Sequence, residues 1–263
     1  MTAAPAGGLV FITGASSGIG QALASRFGAA GYRLALVARR AEEVERWAAS
    51  QALAPGRYAV YGADVRDVDA IAAAGRACIA AQGVPDVVIA NAGISVGIDT
   101  SLRQDLEVMR ATFETNVLGL AATFHPFVAA MRERGRGKLV GIASVAGVRG
   151  MPGHGAYCSS KAAVISYCES LRGELREHGV QVVTIAPGYI DTPLTRGNRY
   201  SMPFLISAAE FADRAFAAIG AGTSYRVIPW QMAVVARLLR VLPNAVFDRV
   251  VQGRGRKKRR GEG

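Results

Sequence analysis

The chain has 263 residues, of which 51% are hydrophobic, and a formal net charge of +11. This size supports one large α/β domain without disulfide or metal staples, and three cysteines without C-x-x-C spacing favour a reducing compartment and no metal site. The amino terminus lacks a signal-peptide pattern and no apolar run reaches the ~20 residues that span a bilayer, so we expect a cytoplasmic protein without a transmembrane helix.

The positive charge is concentrated at the carboxyl end. The last twelve residues contain six basic side chains and one glutamate, so they hold +5 of the +11. The rest of the chain has no zinc-finger or RRM-type motif, and a basic tail alone supports only weak electrostatic contact with nucleic acid. We therefore predict no specific nucleic-acid partner.

Short apolar runs alternate with longer Ala-rich segments of helical period, which is typical of a parallel sheet with helices on both faces. The predicted strands are 9–12, 34–38, 58–61, 87–90, 138–142, 180–185 and 225–228. The predicted helices are 18–30, 41–53, 67–82, 103–134, 157–178, 208–220 and 230–242. We expect a Rossmann-like, doubly wound, seven-stranded parallel sheet in one domain over residues 1–251, followed by a disordered basic tail at 252–263.

The first strand runs directly into a glycine-rich sequence, Thr13-Gly14-Ala15-Ser16-Ser17-Gly18-Ile19-Gly20, and then into a helix. Glycines at such a junction allow a tight turn, let a pyrophosphate approach the backbone and aim a helix N-terminus at its charge. The spacing is G-x-x-x-G-x-G rather than the commoner G-x-G-x-x-G. A glycine-rich turn without function is the alternative, and the position between strand and helix argues against it.

Further short motifs occur later in the chain, after predicted strands or within predicted helices. They are Asp64-Val65, Asn91-Ala92-Gly93, Asn116, Ser144, Tyr157 with Lys161, and Pro187-Gly188. With the glycine-rich turn, this set resembles the short-chain dehydrogenase/reductase superfamily in its single-domain branch, from residue 9 to about residue 195. One departure is Ala90 before Asn91, where many members have two asparagines.

The spacing of Tyr157 and Lys161 has a chemical meaning of its own. Four residues apart in a helix, they lie on one face, and a neighbouring ammonium can lower the pKa of a phenol from roughly 10 by roughly 1–3 units. An exposed amphipathic pair is the alternative. The resemblance implies hydride transfer between a nicotinamide and a carbonyl or alcohol carbon, with Tyr157 as general acid, Lys161 lowering its pKa, Ser144 polarising the carbonyl and Asn116 anchoring a proton-relay water.

The resemblance also implies a set of cofactor contacts. They are Gly14, Ser16, Ser17, Gly18, Ile19, Gly20, Arg39, Asp64, Val65, Asn91, Ala92, Gly93, Tyr157, Lys161, Pro187, Gly188 and Thr192. Arg39 stands after the second strand, where NAD enzymes place an acid for the ribose 2′-hydroxyl. Because a guanidinium can pair bidentately with a 2′-phosphate, NADP (NADPH) is predicted in preference to NAD. A helix-capping arginine is the alternative.

The substrate pocket is predicted outside the carboxyl ends of the strands, between segments 94–99, 145–155 and 189–212. The segment 195–204 combines Arg196 and Arg199 with apolar side chains, which indicates either a basic rim for an acidic substrate or solvated arginines on a lid. His154 lies in the 145–155 loop, where a loop histidine without function is favoured over a substrate contact.

The segment 230–251 continues where many family members end, so it puts the usual tetramer in doubt. Its apolar residues interleave with Arg237, Arg240 and Arg249. Packing onto the body is favoured; the alternatives are closing the substrate pocket, a dimer surface or weak peripheral membrane association. Expected partners are thus a small-molecule carbonyl or alcohol and a second copy in a homodimer or homotetramer.

Because Asn116, Ser144, Tyr157 and Lys161 are all present, an NADPH-dependent carbonyl reductase, or the reverse alcohol dehydrogenase, is favoured. A catalytically weak nucleotide-binding regulator or membrane-surface adaptor is the alternative function.

Overall fold

The computed structural model describes residues 7–51, 53–54, 56–198, 200–253, 257 and 259. The strands are β1 (Leu9–Thr13), β2 (Arg33–Ala38), β3 (Tyr58–Gly62), β4 (Val87–Ala90), β5 (Gly137–Ile142), β6 (Val180–Pro187), β7 (Ile190–Asp191), β8 (Ile206–Ser207) and β9 (Tyr225–Ile228). The helices are α1 (Gly18–Ala29), α2 (Ala41–Ser50), α3 (Val68–Gln82), α4 (Asp105–Phe113), α5 (Gly119–Arg134), α6 (Gly155–Leu175), α7 (Pro193–Arg196), α8 (Ala208–Gly220), α9 (Gln231–Val241) and α10 (Asn244–Val251).

Seven strands form one parallel sheet in the order β3-β2-β1-β4-β5-β6-β9, which confirms the predicted doubly wound fold. The order reverses between β1 and β4, so a crevice opens at their carboxyl ends. Both faces are covered by helices. Leu9 and Phe11 belong to one core while Val10 and Ile12 belong to the other, which explains why β1 is apolar without alternation.

The predicted helix 103–134 is interrupted by one wide turn. A π-helical segment, Glu114–Leu118, joins α4 to α5 and contains the predicted site residue Asn116. Such segments add one residue to a helical turn and are frequent at functional sites. Apolar periodicity over a long window does not reveal the extra residue, so the sequence predicted a single helix.

The segment 230–251 forms two helices because Pro243 cannot continue α9. One side packs on the body through Met232, Ala236 and Phe247, as predicted. The other side is exposed, with Trp230, Val234, Leu238 and Val241 at 65%, 48%, 60% and 76% accessibility. We call these four residues the apolar stripe.

One arginine attaches these helices to the loop that follows β5. The guanidinium of Arg149 donates to the carbonyls of Leu239 and Leu242 (2.7 Å for Leu242), and stacks 3.8 Å from the ring centroid of Phe247. It thereby satisfies carbonyls at the end of α9 that the helix itself leaves unpaired. The carboxyl-terminal helices are consequently fixed beside the substrate side of the sheet.

Two residues of the tail that was expected to be disordered, Lys257 and Arg259, contact the body instead. The other tail residues, 254–256, 258 and 260–263, lie outside the described residues. Among the described helices, none is long and apolar enough to cross a bilayer.

Candidate active site

A cleft of about 650 Å³ opens at the carboxyl ends of β1, β4 and β5. It brings together every predicted site residue except Gly20 and Asn116. These two support its wall from behind. The predicted members that line it are Gly14, Ser16, Ser17, Gly18, Ile19, Arg39, Asp64, Val65, Asn91, Ala92, Gly93, Ser144, Tyr157, Lys161, Pro187, Gly188 and Thr192.

The glycine-rich turn is held by close backbone contacts. Gly14 has a φ of +70°, and a Cβ on Gly20 would lie 2.2 Å from the Gly14 carbonyl oxygen. The amide of Asn91 donates to the carbonyl oxygens of Thr13 at 3.0 Å and Gly14 at 3.3 Å. Asn91 therefore fixes the shape of the turn from the neighbouring strand, and it does so without a second asparagine at position 90.

The start of α1 is suited to an anion. The side chain of Ser17, its N-cap residue, makes no capping hydrogen bond, and the first turn contains no acidic residue. Its amide groups thus face the cleft with partial positive charge. A dinucleotide pyrophosphate fits this position.

The opposite end of the cleft carries two guanidinium groups beside the Asp64 carboxylate and a third, Arg40, that pairs elsewhere. Arg66 donates to Asp64 at 2.7 Å and this hydrogen bond lowers the pKa of Asp64, while Arg39 lies 4.0 Å from the same carboxylate. Arg40 pairs with Glu43 at 3.1 Å. Since Asp64 is already paired with Arg66, the exposed Arg39 is available to a phosphate. Arg66 was missed because an i,i+2 contact inside a turn depends on loop geometry.

Tyr157 and Lys161 lie together on α6, as their spacing predicted. The Nζ of Lys161 lies 5.9 Å from the Tyr157 ring centroid and donates to the Ile142 carbonyl oxygen at 2.7 Å. Burial lowers the pKa of Lys161 to about 8. Burial also raises the pKa of Tyr157, against the effect of a hydrogen bond with Ser144.

The direction for Tyr157 is opposite to the one expected from its lysine neighbour. The reason is that the loss of hydration penalises the phenolate and the ammonium alike. The chemical consequence is a phenol that is protonated at neutral pH and therefore able to donate a proton.

Ser144 faces Tyr157 from the end of β5. It lies in extended backbone, its Oγ accepts from the amide of Ala146 at 3.1 Å, and it is 8% exposed. Ser144 counteracts the rise in the Tyr157 pKa, and both side chains line the same end of the cleft, so the two hydroxyl groups are neighbours there. A carbonyl oxygen placed there would accept from both.

Asn116 is buried and its amide makes three hydrogen bonds to the protein. Its Oδ1 accepts from the amide of Ile94 at 2.8 Å, and its Nδ2 donates to the Ile94 carbonyl at 3.0 Å and to Ser160 Oγ at 2.9 Å. Ser160 in turn donates to the carbonyl of Tyr157 at 2.8 Å. Asn116 thus holds α6 against the loop after β4. Ser160 was missed, because a serine next to Lys161 carries no pattern of its own.

The nicotinamide side of the cleft is backed by the carboxyl-terminal helices. A Cβ on Gly188 would lie 2.7 Å from Met232 Cγ, so α9 packs closely on the Pro187-Gly188 turn. Thr192 is buried, and its amide donates to Thr195 Oγ1 at 3.1 Å. This wall is therefore continuous with α9.

Comparison with known proteins agrees with this geometry. The short chain dehydrogenase family model matches residues 8–202. An uncharacterized oxidoreductase of Myxococcus xanthus (strain DK1622) is 39% identical over 237 residues, covering 90% of this chain and 93% of that protein.

Two solved structures are similar to this fold. A short chain dehydrogenase from Burkholderia cenocepacia J2315 in complex with NADP has a TM-score of 0.80 at 26% identity, with 94% of this chain and 98% of that chain covered. A short chain dehydrogenase/reductase from Burkholderia phymatum in complex with NAD has a TM-score of 0.79 at 24% identity, with 88% and 92% covered, and shares the fold. Structural neighbours thus bind either nicotinamide dinucleotide.

Proposed function

Because the chain belongs to the short-chain dehydrogenase/reductase family, we propose that it is an NADPH-dependent oxidoreductase that interconverts a carbonyl group and an alcohol on a small molecule. The observation that carries the proposal is the proximity of the Ser144 and Tyr157 hydroxyl groups at one end of a cleft whose other end carries Arg39. The cofactor supplies the hydride when it is bound.

The chain's own residues supply orientation and the proton. Ser144 donates a hydrogen bond to the substrate oxygen, and the neutral Tyr157 phenol transfers its proton to that oxygen as negative charge develops there. Lys161 lies behind the tyrosine and takes part in restoring the proton. Asn116 and Ser160 act as positioning residues, since they bond to the backbone on both sides of the reacting groups.

The preference for NADPH is supported by Arg39. Its side chain is 64% exposed and its nearest carboxylate, Asp64, is already held by Arg66. A 2′-phosphate would gain charge-assisted hydrogen bonds there, whereas a 2′-hydroxyl would gain little.

The test is a panel of aldehydes, ketones, quinones and keto-steroids, each assayed with NADPH and with NADH. We expect reduction of at least one class, with the higher kcat/KM for NADPH. NADPH binding without turnover of any class, with alcohols and NADP⁺ equally inactive, would instead support the regulator alternative.

The apolar stripe on α9 supports association with an anionic membrane surface. Trp230 and Leu238 are exposed, Arg237 and Arg240 lie on the same helix, and α9 contains no acidic residue. A lipid surface complements both properties. A symmetric second copy on this face would bring the arginines of both copies together. The homodimer or homotetramer that is common in the family is therefore proposed to use other surfaces.

A further inference from the structure

The carboxyl-terminal tail is attached to the segment that follows β4. Arg259 Nε lies 2.6 Å from Asp105 Oδ2, and its Nη2 lies 3.3 Å from Oδ1. Asp105 is only 3% exposed, and its Oδ2 also accepts from the amide of Asp99 at 2.7 Å. Arg259 further forms a parallel backbone bridge with Gly97. A two-oxygen pairing with a buried carboxylate is a specific anchor, because removing either partner leaves an uncompensated charge.

Two residues earlier, the tail touches another wall of the pocket. The Nζ of Lys257 donates to the carbonyl oxygen of Leu194 at 3.1 Å, and Leu194 lines the cleft after Thr192. Lys257 and Arg259 thus contact the segments after β7 and after β4, two of the segments between which the substrate pocket is predicted.

Lys257 lies beside an aromatic group. Burial lowers the pKa of His154 and the charge of Lys257 adds to that effect, while the His154 ring centroid is 5.7 Å from that of Tyr200. Tyr200 also contacts Tyr189, with ring centroids 6.2 Å apart, and its pKa is raised to about 12 by burial and in part by Tyr157. His154, Tyr200 and Tyr189 thus form an aromatic cluster in the segments that border the predicted substrate pocket.

Among the described residues, the ammonium of Lys257 has no carboxylate partner. Arg196, for which a basic rim and a solvated arginine were the two alternatives, is paired with Asp191 at 2.9 Å, and Arg259 is paired with Asp105. Within the described residues, no ion pair joins Lys257 to a carboxylate, and burial lowers its pKa. A partly buried ammonium that bonds only to a carbonyl is stabilised by a bound anion. Arg199 lies outside the described residues.

We propose that Lys257 borders the substrate pocket and binds an anionic group, a carboxylate or a phosphate, on the carbonyl substrate. The inference rests on the proposed reductase function. It makes Lys257 a specificity-determining residue at a distance from the reacting carbon.

The experiment compares 4-carboxybenzaldehyde and 4-formylphenyl phosphate with the neutral methyl 4-formylbenzoate. The variants are Lys257→Met and Lys257→Arg, with Lys258→Met as the charge-matched control. For the parent we expect higher kcat/KM with an anionic aldehyde than with the ester. Lys257→Met should lower kcat/KM for that aldehyde by roughly tenfold or more, mainly through KM, and leave the ester within about twofold. Lys257→Arg should retain much of the preference.

A binding measurement keeps the inference separate from turnover. Calorimetry with 4-carboxybenzyl alcohol and 4-(hydroxymethyl)phenyl phosphate, on protein saturated with NADPH, with which an alcohol cannot react, should show affinity for one of them in the parent and in Lys258→Met but a loss in Lys257→Met. Equal effects of the two Met variants, or a parent that prefers the ester, would overturn the inference and leave the reductase intact. If anion binding depends on Lys257 but no aldehyde is reduced, the proposed reaction fails while the anion site stands.

Discussion

Replacing Lys161 by methionine tests the energetic cost of burying this lysine in the cleft. Burial lowers its pKa from the ordinary 10.5 to about 8, which corresponds to about 3 kcal/mol of destabilisation when the group is protonated at neutral pH. Methionine removes that cost but leaves the Ile142 carbonyl without its 2.7 Å donor, a loss of about 1–3 kcal/mol. We expect a net gain in unfolding free energy of about 0–2 kcal/mol near neutral pH, together with loss of activity.

The pH dependence of the unfolding free energy is a sharper test than its net change near neutral pH. The unfolded chain binds the Lys161 proton up to pH 10.5 while the folded chain releases it near pH 8, so the parent's stability should rise with pH between these values. Urea unfolding of both proteins across this range gives their unfolding free energies at each pH. The free energy of the parent should rise with pH relative to that of Lys161→Met. Identical pH profiles for the two proteins would refute the assignment of a buried, proton-releasing lysine.

Three further predictions address the site and the surface. Tyr157→Phe should abolish reduction while leaving the NADPH dissociation constant, measured by fluorescence, within about threefold, because only the donated proton is lost; activity close to the parent's would remove Tyr157 as the acid. Arg39→Asp should raise KM for NADPH by roughly tenfold or more and change KM for NADH little, which initial rates would show; a parent that already prefers NADH contradicts this. The full chain should co-sediment with anionic vesicles at low salt and not with neutral ones. The double variant Trp230→Ser/Leu238→Ser should lose this binding, whereas the control Leu106→Ser, which removes an exposed leucine on α4, should keep it. Vesicle binding by the double variant would contradict the α9 assignment. Binding that is lost only on truncation after Val251 would assign it to the tail.

The strands were predictable because a parallel sheet that is buried on both faces requires continuous apolar runs. Leu9, Val10, Phe11 and Ile12 alternate between two cores, and each position excludes polar side chains. The pairing of Tyr157 with Lys161 was equally accessible, since helical spacing alone places them together.

Other features depended on tertiary contacts that local sequence does not encode. The pKa of Tyr157 follows from its burial, which spacing does not show. The contact of Arg259 with Asp105 joins positions 154 residues apart, so a run of basic residues in isolation was interpreted as a solvated tail. Similarly, the amphipathic pattern of α9 indicated one buried side and one exposed side but not whether another molecule covers the latter.

The π-helical turn also determines which way its flanking helices face. An additional residue rotates everything after it by about 100° relative to a continuous α-helix. Accordingly, α4 packs against α6, which carries Tyr157, whereas α5 packs against α3 on the outside of the sheet. A continuous α-helix would keep its apolar face in one direction along its whole length. The π-helical turn rotates that face, so one stretch of chain packs against the helix of Tyr157 at one end and against α3 at the other.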